Sequence, residues 1–410
     1  MFLYVYPPAP LLQAAFLIFS STENRTAKLH LWRLVSVEDV KIERIEWARL
    51  TGERPRKAGC NSRLGEHGLH VRPAIARITT TDGASGFGFS PISREKAQEI
   101  VGFQLSDAFD AESGVTEEFR VLEYPLWDLV GKLAEKPVYA MLSGENGAFR
   151  APCYDTSLYI DDLHLEDNAE AAALIASEAL EGKARGHNAY KIKVGRGAMH
   201  MPLDKGTQRD IDVICAVREA VGPDASILID ANNGYNLNLT KQVLGGAADA
   251  NVYWMEEAFH EDARVYSLLK EWLNAEGLET RIADGEGGAS PNLVDWAKEG
   301  LIDIVQYDIF YPGFSRWLEL GPELDVSGVG TAPHHYGGHY GNYVTGHLAA
   351  KVNRFEFVEW DHATTPGLDD SGYSISNGYV NIPQSPGFGL NLDEGPYQRA
   401  REKNGFEVGA

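Results

Sequence analysis

The sequence predicts an α/β protein: a (β/α)8 barrel of the TIM type joined to a smaller α+β capping domain. Three observations predict it. From about Ala151 to about residue 365, eight short apolar segments alternate with helical stretches. Before them, from about Lys41, apolar strand-like segments are followed by amphipathic helical ones, a different rhythm. Nearly every one of the eight later segments ends in an ionisable side chain, and barrels of this kind carry their chemistry at the C-terminal strand ends.

Composition sets the limits. The 410 residues are 44% hydrophobic and 23% charged, as expected of a globular chain with a large core and more than one domain. With 37 Lys and Arg against 59 Asp and Glu, the formal net charge is −22. Such a surface argues against nucleic acid or an anionic membrane as partner. It still allows a small anionic substrate where a bound cation reverses the local sign. Cys60, Cys153 and Cys215 stand in no metal-type spacing and form no disulfide framework, which points to a reducing compartment, the cytoplasm.

Taken in order, residues 1–39 read as an N-terminal extension. Its first twenty residues are apolar but broken by Pro7, Pro8 and Pro10, leaving a run of about ten residues, too short to span a bilayer. An export signal is the alternative, although no Lys or Arg precedes the run. Residues 40–150 read as the capping domain. IERIEWARL and PAIARITTTDGASGFGFS are antiparallel strands with a turn at Asp82-Gly83. KAGCNSRLGEHGLH between them is a mobile loop, and EYPLWDLVGKLAEKPVYAMLSG is helical with a glycine stop. Residues 151–365 form the barrel, with strands CYDTSLYI, AYKIKV, SILIDAN, VYWMEEAF, RIADGE, IDIVQYDI, GVGTAPH and RFEFVEW. Residues 366–410 are turn-rich and are expected to return to the capping domain.

The strand ends carry Lys191 and Lys193, Asp230 and Asn232, Glu256, Glu286, Asp308, His334 and Glu359 in succession. Any one has an ordinary explanation: a Lys-x-Lys pair is commonly a solvated strand face, and a lone histidine is commonly structural. Seven consecutive strand ends are not so explained, and burying that much charge is costly unless a metal and a substrate compensate it. Asp230, Glu256 and Glu286 offer only oxygen ligands from three adjacent strands, which suits Mg²⁺, with Mn²⁺ as a variant, over zinc. Lys191 and Lys193 share a strand face. A lysine crowded by a second ammonium and a metal is expected to have a lowered pKa and to serve as a base. Asp308 and His334 lie on the far side, where a carboxylate fixes an imidazole tautomer. That arrangement suits removal of a proton α to a carboxylate.

KIK at 191–193, DAN at 230–232, WMEE at 254–257, ADGE at 283–286, YDIFYPGFSRW at 307–317, APH at 332–334 and VEW at 358–360 resemble the enolase superfamily, nearest its mandelate racemase subgroup with its acid-sugar dehydratases. The closing PGFGLNLDE resembles the same family. The successive strand-end positions are separated by 22 residues (Glu286 to Asp308) to 37 (Lys193 to Asp230). The resemblance implies Lys193 as base with Lys191 beside it, and Asp230, Glu256 and Glu286 as ligands of one Mg²⁺. It implies an Asp308–His334 dyad, Glu359 hydrogen-bonded to the substrate carboxylate or enediolate, and Asn232 nearby. Glu257 is expected to point away from the metal. Counting forward from Gly328 selects His334 for the dyad, while counting back from Glu359 allows His339, and His335 stands between them. The 56–70 loop would close over the substrate, with Arg63, Glu66, His67 and His70 as polar contacts and His339 adding another. Dehydration of a sugar acid to a 2-keto-3-deoxy acid is the favoured outcome, with racemisation, epimerisation or cycloisomerisation on the same site as alternatives. A non-catalytic binding protein and a metal-dependent hydrolase are the readings from other classes. Members of the family are commonly homo-oligomers.

Overall fold

The computed structural model describes residues 40–110, 113–335 and 338–410. The extension 1–39 with its candidate export segment lies outside the described residues. Among the described residues no helix is long and apolar enough to cross a membrane.

The first region is built on β1 (Ile42–Arg49), which buries Ile42, Ile45 and Ala48. A register irregularity between Ile42 and Arg44 breaks its strict period of two, as a bulge does. β2 (Gly52–Ala58) and β3 (Gly68–Val71) form a separate two-stranded ladder. The segment expected to be a mobile loop is therefore partly ordered strand. Pro55 and the charges of GERPRKA hid it, because edge ladders need no apolar face. β4 (Ala74–Thr80) and β5 (Ser85–Phe89) pair antiparallel, with Gly83 at φ +86° in the turn. Helix α1 (Glu123–Leu133) packs on this sheet, and a following helical turn, Val138–Ser143, stops at Gly144 in the left-handed conformation.

The second region is a parallel sheet. Its strands are β6 (Phe149–Leu158), β7 (Ala189–Lys193), β8 (Ser226–Asp230), β9 (Val252–Glu256), β10 (Arg281–Asp284), β11 (Ile304–Val305), β12 (Gly330–Thr331) and β13 (Val358–Trp360). β6 to β12 pair in sequence order, and β13 pairs with the other side of β6. Intervening helices include α2 (Asn168–Ala184), α3 (Leu203–Val221) and α4 (Ala263–Glu276), whose N-caps Asp167 and Asp262 accept from backbone amides of the first turn. The expected closed barrel is not seen as a continuous ladder among the described residues. β12 and β13 are joined by one isolated bridge, Thr331–Phe355, with Thr331 N donating to Arg354 O at 2.9 Å and Glu356 N to Thr331 O at 2.9 Å. Both strands are only two or three residues long, too short to share more.

Tyr154, Ala189, Leu228, Trp254, Ala283, Ile304, Ala332 and Phe357 pack together as a cluster of their own. Each strand, or the residue flanking it, supplies one member, so this is an interior layer beneath the polar strand ends. Because Tyr154 belongs to that layer, its neighbour Asp155 faces the opposite side of β6, against Gly182 of α2. A Cβ at Gly182 would lie 2.2 Å from Asp155 Oδ2.

The tail divides. β14 (Ser374–Ser376) and β15 (Tyr379–Ile382) form a hairpin over Asn377-Gly378, both at positive φ, and β15 pairs antiparallel with the start of β6. Helix α5 (Glu394–Asn404) then leads to β16 (Phe406–Gly409), which pairs antiparallel with β1. Buried Glu46 on β1 is gripped by Arg77 of β4 and Arg401 of α5.

Candidate active site

Period-two alternation sends Lys191 and Lys193 to the same side of β7, and both are buried. Lys193 Nζ contacts Asp230 at the end of β8. Lys191 Nζ lies 2.8 Å from Glu256 Oε1, 3.7 Å from Asp230 Oδ2 and 3.7 Å from Glu359 Oε1. Asp230, Glu256 and Glu286 each place a carboxylate oxygen within 4.8 Å of the others. Beside them, Asn232 Oδ1 is buried with no hydrogen-bond partner among the described residues. Oxygen ligands at that spacing, with an unused carbonyl oxygen adjacent, fit one hard divalent cation.

Across the group stands His334. Its Nδ1 is 2.6 Å from Asp308 Oδ1, and its Nε2 is 3.0 Å from Glu286 Oε2. The carboxylate therefore fixes one ring nitrogen and leaves the other on the cluster. His335 and His339 do not take this place. His335 Nε2 meets the backbone oxygen of Glu359 at 3.0 Å. His339 Nε2 meets Thr365 Oγ1 at 3.1 Å, and its side chain is absent from the lining of the main cavity. His339, expected as a further substrate contact, precedes a helix (Tyr340–Leu348) and is buried.

Two further expectations change. Glu257 does not turn away from the acidic group. The strand ends at Glu256, Glu257 has φ +43°, and its carboxyl is held by Asn232 Nδ2 at 3.1 Å and Asn233 Nδ2 at 2.7 Å. The alternation rule stops where the strand stops. Burial, then Glu286, push its pKa up in the cation-free protein. Glu359 has both oxygens taken, one by Thr156 Oγ1 at 2.7 Å and one by His335 N at 3.0 Å. Burial acts to raise its pKa, but His335, Lys191 and His334 outweigh it and hold the carboxyl well below the ordinary range.

The lowered lysine pKa is expected beside a bound metal; without the cation both lysines are raised instead. Burial favours the neutral amine of Lys193, yet Asp230, Glu286 and Tyr159 together outweigh burial and Lys191, and its pKa is raised. Burial pushes Glu256 up to about 7 against the pull of Lys191. His334 behaves like the lysines: burial lowers its pKa, but Glu286, Glu359 and Asp308 raise it well above the ordinary imidazole value. In the cation-free state, then, the site's negative charge is balanced by protonated lysines and imidazole.

The site opens on a cavity of about 560 Å³, lined among others by Asn61, Arg63, Phe89, Phe310, Tyr311 and Gly338. That volume is suited to a small ligand. Arg63 is exposed at its rim. His67 lies in a neighbouring cavity with its ring 4.8 Å from that of Tyr159, and burial, then Lys193 and Arg54, push its pKa down to about 4. Ser62 anchors the loop by donating to Ala231 O beside the strand-three end. Gly195 and Gly234 permit that approach, since a Cβ at either would lie 2.6 Å from Ser62 Cβ.

Sequence reasoning missed Gln306, whose Nε2 donates to Glu256 Oε2 at 3.0 Å, and Thr156 on Glu359. Gln306 directly follows β11 and stands two residues before Asp308.

A family model described as enolase C-terminal domain-like matches residues 174–395. The chain belongs to the enolase superfamily and is an enzyme of that class. Among solved structures it is similar to galacturonate dehydratase from Geobacillus sp., complexed with D-galacturonate and 5-keto-4-deoxy-D-galacturonate. The two are 50% identical with a TM-score of 0.87, over 90% of this chain and 99% of that one. A variant of the same dehydratase complexed with Mg gives 50% identity and a TM-score of 0.88, over 91% of this chain and 98% of that one. Arabinonate dehydratase from Saccharolobus solfataricus is 25% identical over 90% of this chain and all of that protein.

Proposed function

We propose that this chain is a divalent-cation-dependent hydro-lyase that dehydrates a sugar acid, with a hexuronate of the galacturonate type as the first substrate to test. The observation that carries the reading is the flanking of one carboxylate trio by two proton-transfer groups, Lys193 on Asp230 and the Asp308-backed His334 on Glu286. The 50% identity to a galacturonate dehydratase supports the substrate class.

Asp230, Glu256 and Glu286 would hold the cation, Mg²⁺ by their ligand chemistry with Mn²⁺ as a substitute. When bound, it supplies positive charge that offsets the trio and stabilises charge developing on the substrate carboxylate. With the trio offset, the repulsion between Lys191 and Lys193 favours the neutral amine on Lys193. Lys193 Nζ takes the α-proton of the sugar acid. His334 Nε2 gives its proton to the β-hydroxyl, which leaves as water, and the resulting enol becomes the keto-deoxy acid. In a hexuronate, whose carboxylate is at the far end from C1, the same step yields a 5-keto-4-deoxy product. Asp308 keeps the His334 ring oriented, and Glu359 positions Lys191 and the His335 backbone. Residues 40–150 would cap the cavity, 151–365 would close as a barrel across the Thr331–Phe355 bridge, and 366–410 would brace the two.

The test is incubation with a panel of sugar acids and Mg²⁺ in D₂O. A keto-deoxy acid is expected from at least one hexuronate. Neither product nor α-deuterium from any of them overturns the reading, and exchange without water loss replaces it with racemase, epimerase or cycloisomerase chemistry.

A further inference from the structure

A second group of metal-type side chains lies on the opposite face of β6 from the interior layer. One carboxylate oxygen of Asp155 and one ring nitrogen each of His187 and His362 lie within 4.8 Å of one another. Asp155 is fully buried, and its Oδ2 has no hydrogen-bond partner among the described residues. Its other oxygen accepts from Ser157 N at 2.9 Å. His187 is buried, and its Nε2 faces His362 Nε2 at 2.8 Å.

The tautomer of His187 follows from its far side. Cys153 Sγ lies 3.7 Å from Gly378 O, to which its thiol donates, and 3.8 Å from His187 Nδ1. With the thiol proton used on the carbonyl, sulfur can only accept, so Nδ1 carries the hydrogen and Nε2 presents its lone pair. An imidazole whose outer N–H is held by a neighbour is how proteins prepare a histidine to ligate a metal.

The geometry points to a second metal site at Asp155, His187 and His362, taking a borderline transition metal, zinc by preference, separate from the carboxylate trio. Two imidazole nitrogens and one carboxylate oxygen select zinc over magnesium, whereas the trio's oxygens do the reverse. Tetrahedral coordination at about 2.0–2.1 Å needs the two nitrogens roughly 3.3 Å apart. The facing rings must open by about 0.5 Å to reach it. His362 can give, being only partly buried on the chain leaving β13. It also lines a small cavity of about 10 Å³ with Arg54, Ser157 and Tyr159. The ion would clip together three segments remote in sequence: the first strand, the turn into the second, and the exit from the eighth. It would add to the three-pair ladder that holds β13 on β6.

The experiment loads chelator-stripped protein with zinc in excess Mg²⁺, desalts it and measures bound zinc. Wild type and Asp230→Asn are expected to retain about one zinc per chain, and His362→Gln less than about a tenth of that. Cobalt loading gives a parallel readout, visible absorption of tetrahedral cobalt in wild type and Asp230→Asn but not in His362→Gln. Wild type that retains no zinc overturns the proposal whether or not the variant folds. So does His362→Gln that retains as much as wild type, which leaves the rings merely sharing a proton, and so does loss of zinc in Asp230→Asn, which places the ion in the trio.

Discussion

Two clusters built on the same few strands show how differently nature can use buried charge. The inner one joins three carboxylates to two lysines and an imidazole and opens on a cavity of about 560 Å³. The outer one is smaller, sits under α2, and borders only a narrow space. Tyr154 and Asp155, neighbours on β6, belong one to the inner layer and the other to the outer cluster. The lesson is that open volume and proton-transfer groups, more than the number of charged residues, separate a reaction site from a structural one.

The comparison breaks first at its kinetic end. Lys193→Ala and His334→Asn are each expected to lower kcat of dehydration by about 10³-fold or more, read as keto-acid formation, because each removes a proton-transfer group. His339→Asn is expected to stay within a few-fold of wild type, and a comparable loss there would move the dyad. Removing the cation with a chelator, or Glu286→Gln, should abolish turnover with recovery only for the stripped wild type on adding Mg²⁺. Stability comes next. Arg196, fully buried, pairs with Asp162 at 2.6 Å and Asp210 at 2.7 Å. Arg196→Met leaves buried Asp210 without an ion-pair partner and Asp162 with Arg209 alone, at 3.4 Å, and should cost about 3–5 kcal/mol in denaturant unfolding. Gly182→Ala pushes a methyl onto Asp155 Oδ2 and should cost about 1–3 kcal/mol while leaving kcat near wild type, which separates the outer cluster from the inner.

The smallest effect is the pH dependence of the cation-free protein. His334 has a folded pKa raised above its ordinary value near 6.5. Its stabilising contribution is therefore complete below that value and is lost as pH rises through the folded one. The melting-temperature gap between wild type and His334→Asn should narrow on the alkaline side. A gap that widens there would mean the ring is neutral in the fold.

Much of this was legible in the sequence, and for physical reasons. The eight apolar segments became the eight parallel strands because strand burial imposes period and length locally. Lys191, Lys193, Asp230 and Glu256 met because each stands at a strand end where alternation decides its side, and Glu286 joins them from just beyond β10. Where alternation ends, reading failed: Glu257 follows the last strand residue and turns back on a positive φ. Glu359 was placed at the site but not with its oxygens already occupied, which depends on Thr156 and the His335 amide. The ladder of β2 with β3 escaped notice because it buries little. Asp155, His187 and His362 were invisible as a group, since no short spacing connects residues brought together only by the return of the eighth strand to the first.

The pairing of β16 with β1 has a consequence for synthesis. During translation β1, β4 and β5 emerge hundreds of residues before Phe406–Gly409, so one rim of the first sheet stays unpaired until that strand has left the ribosome. For that interval the nascent chain carries a ready template for another polypeptide, and a chaperone that shields it would act on the amino-terminal third while the rest is still being made.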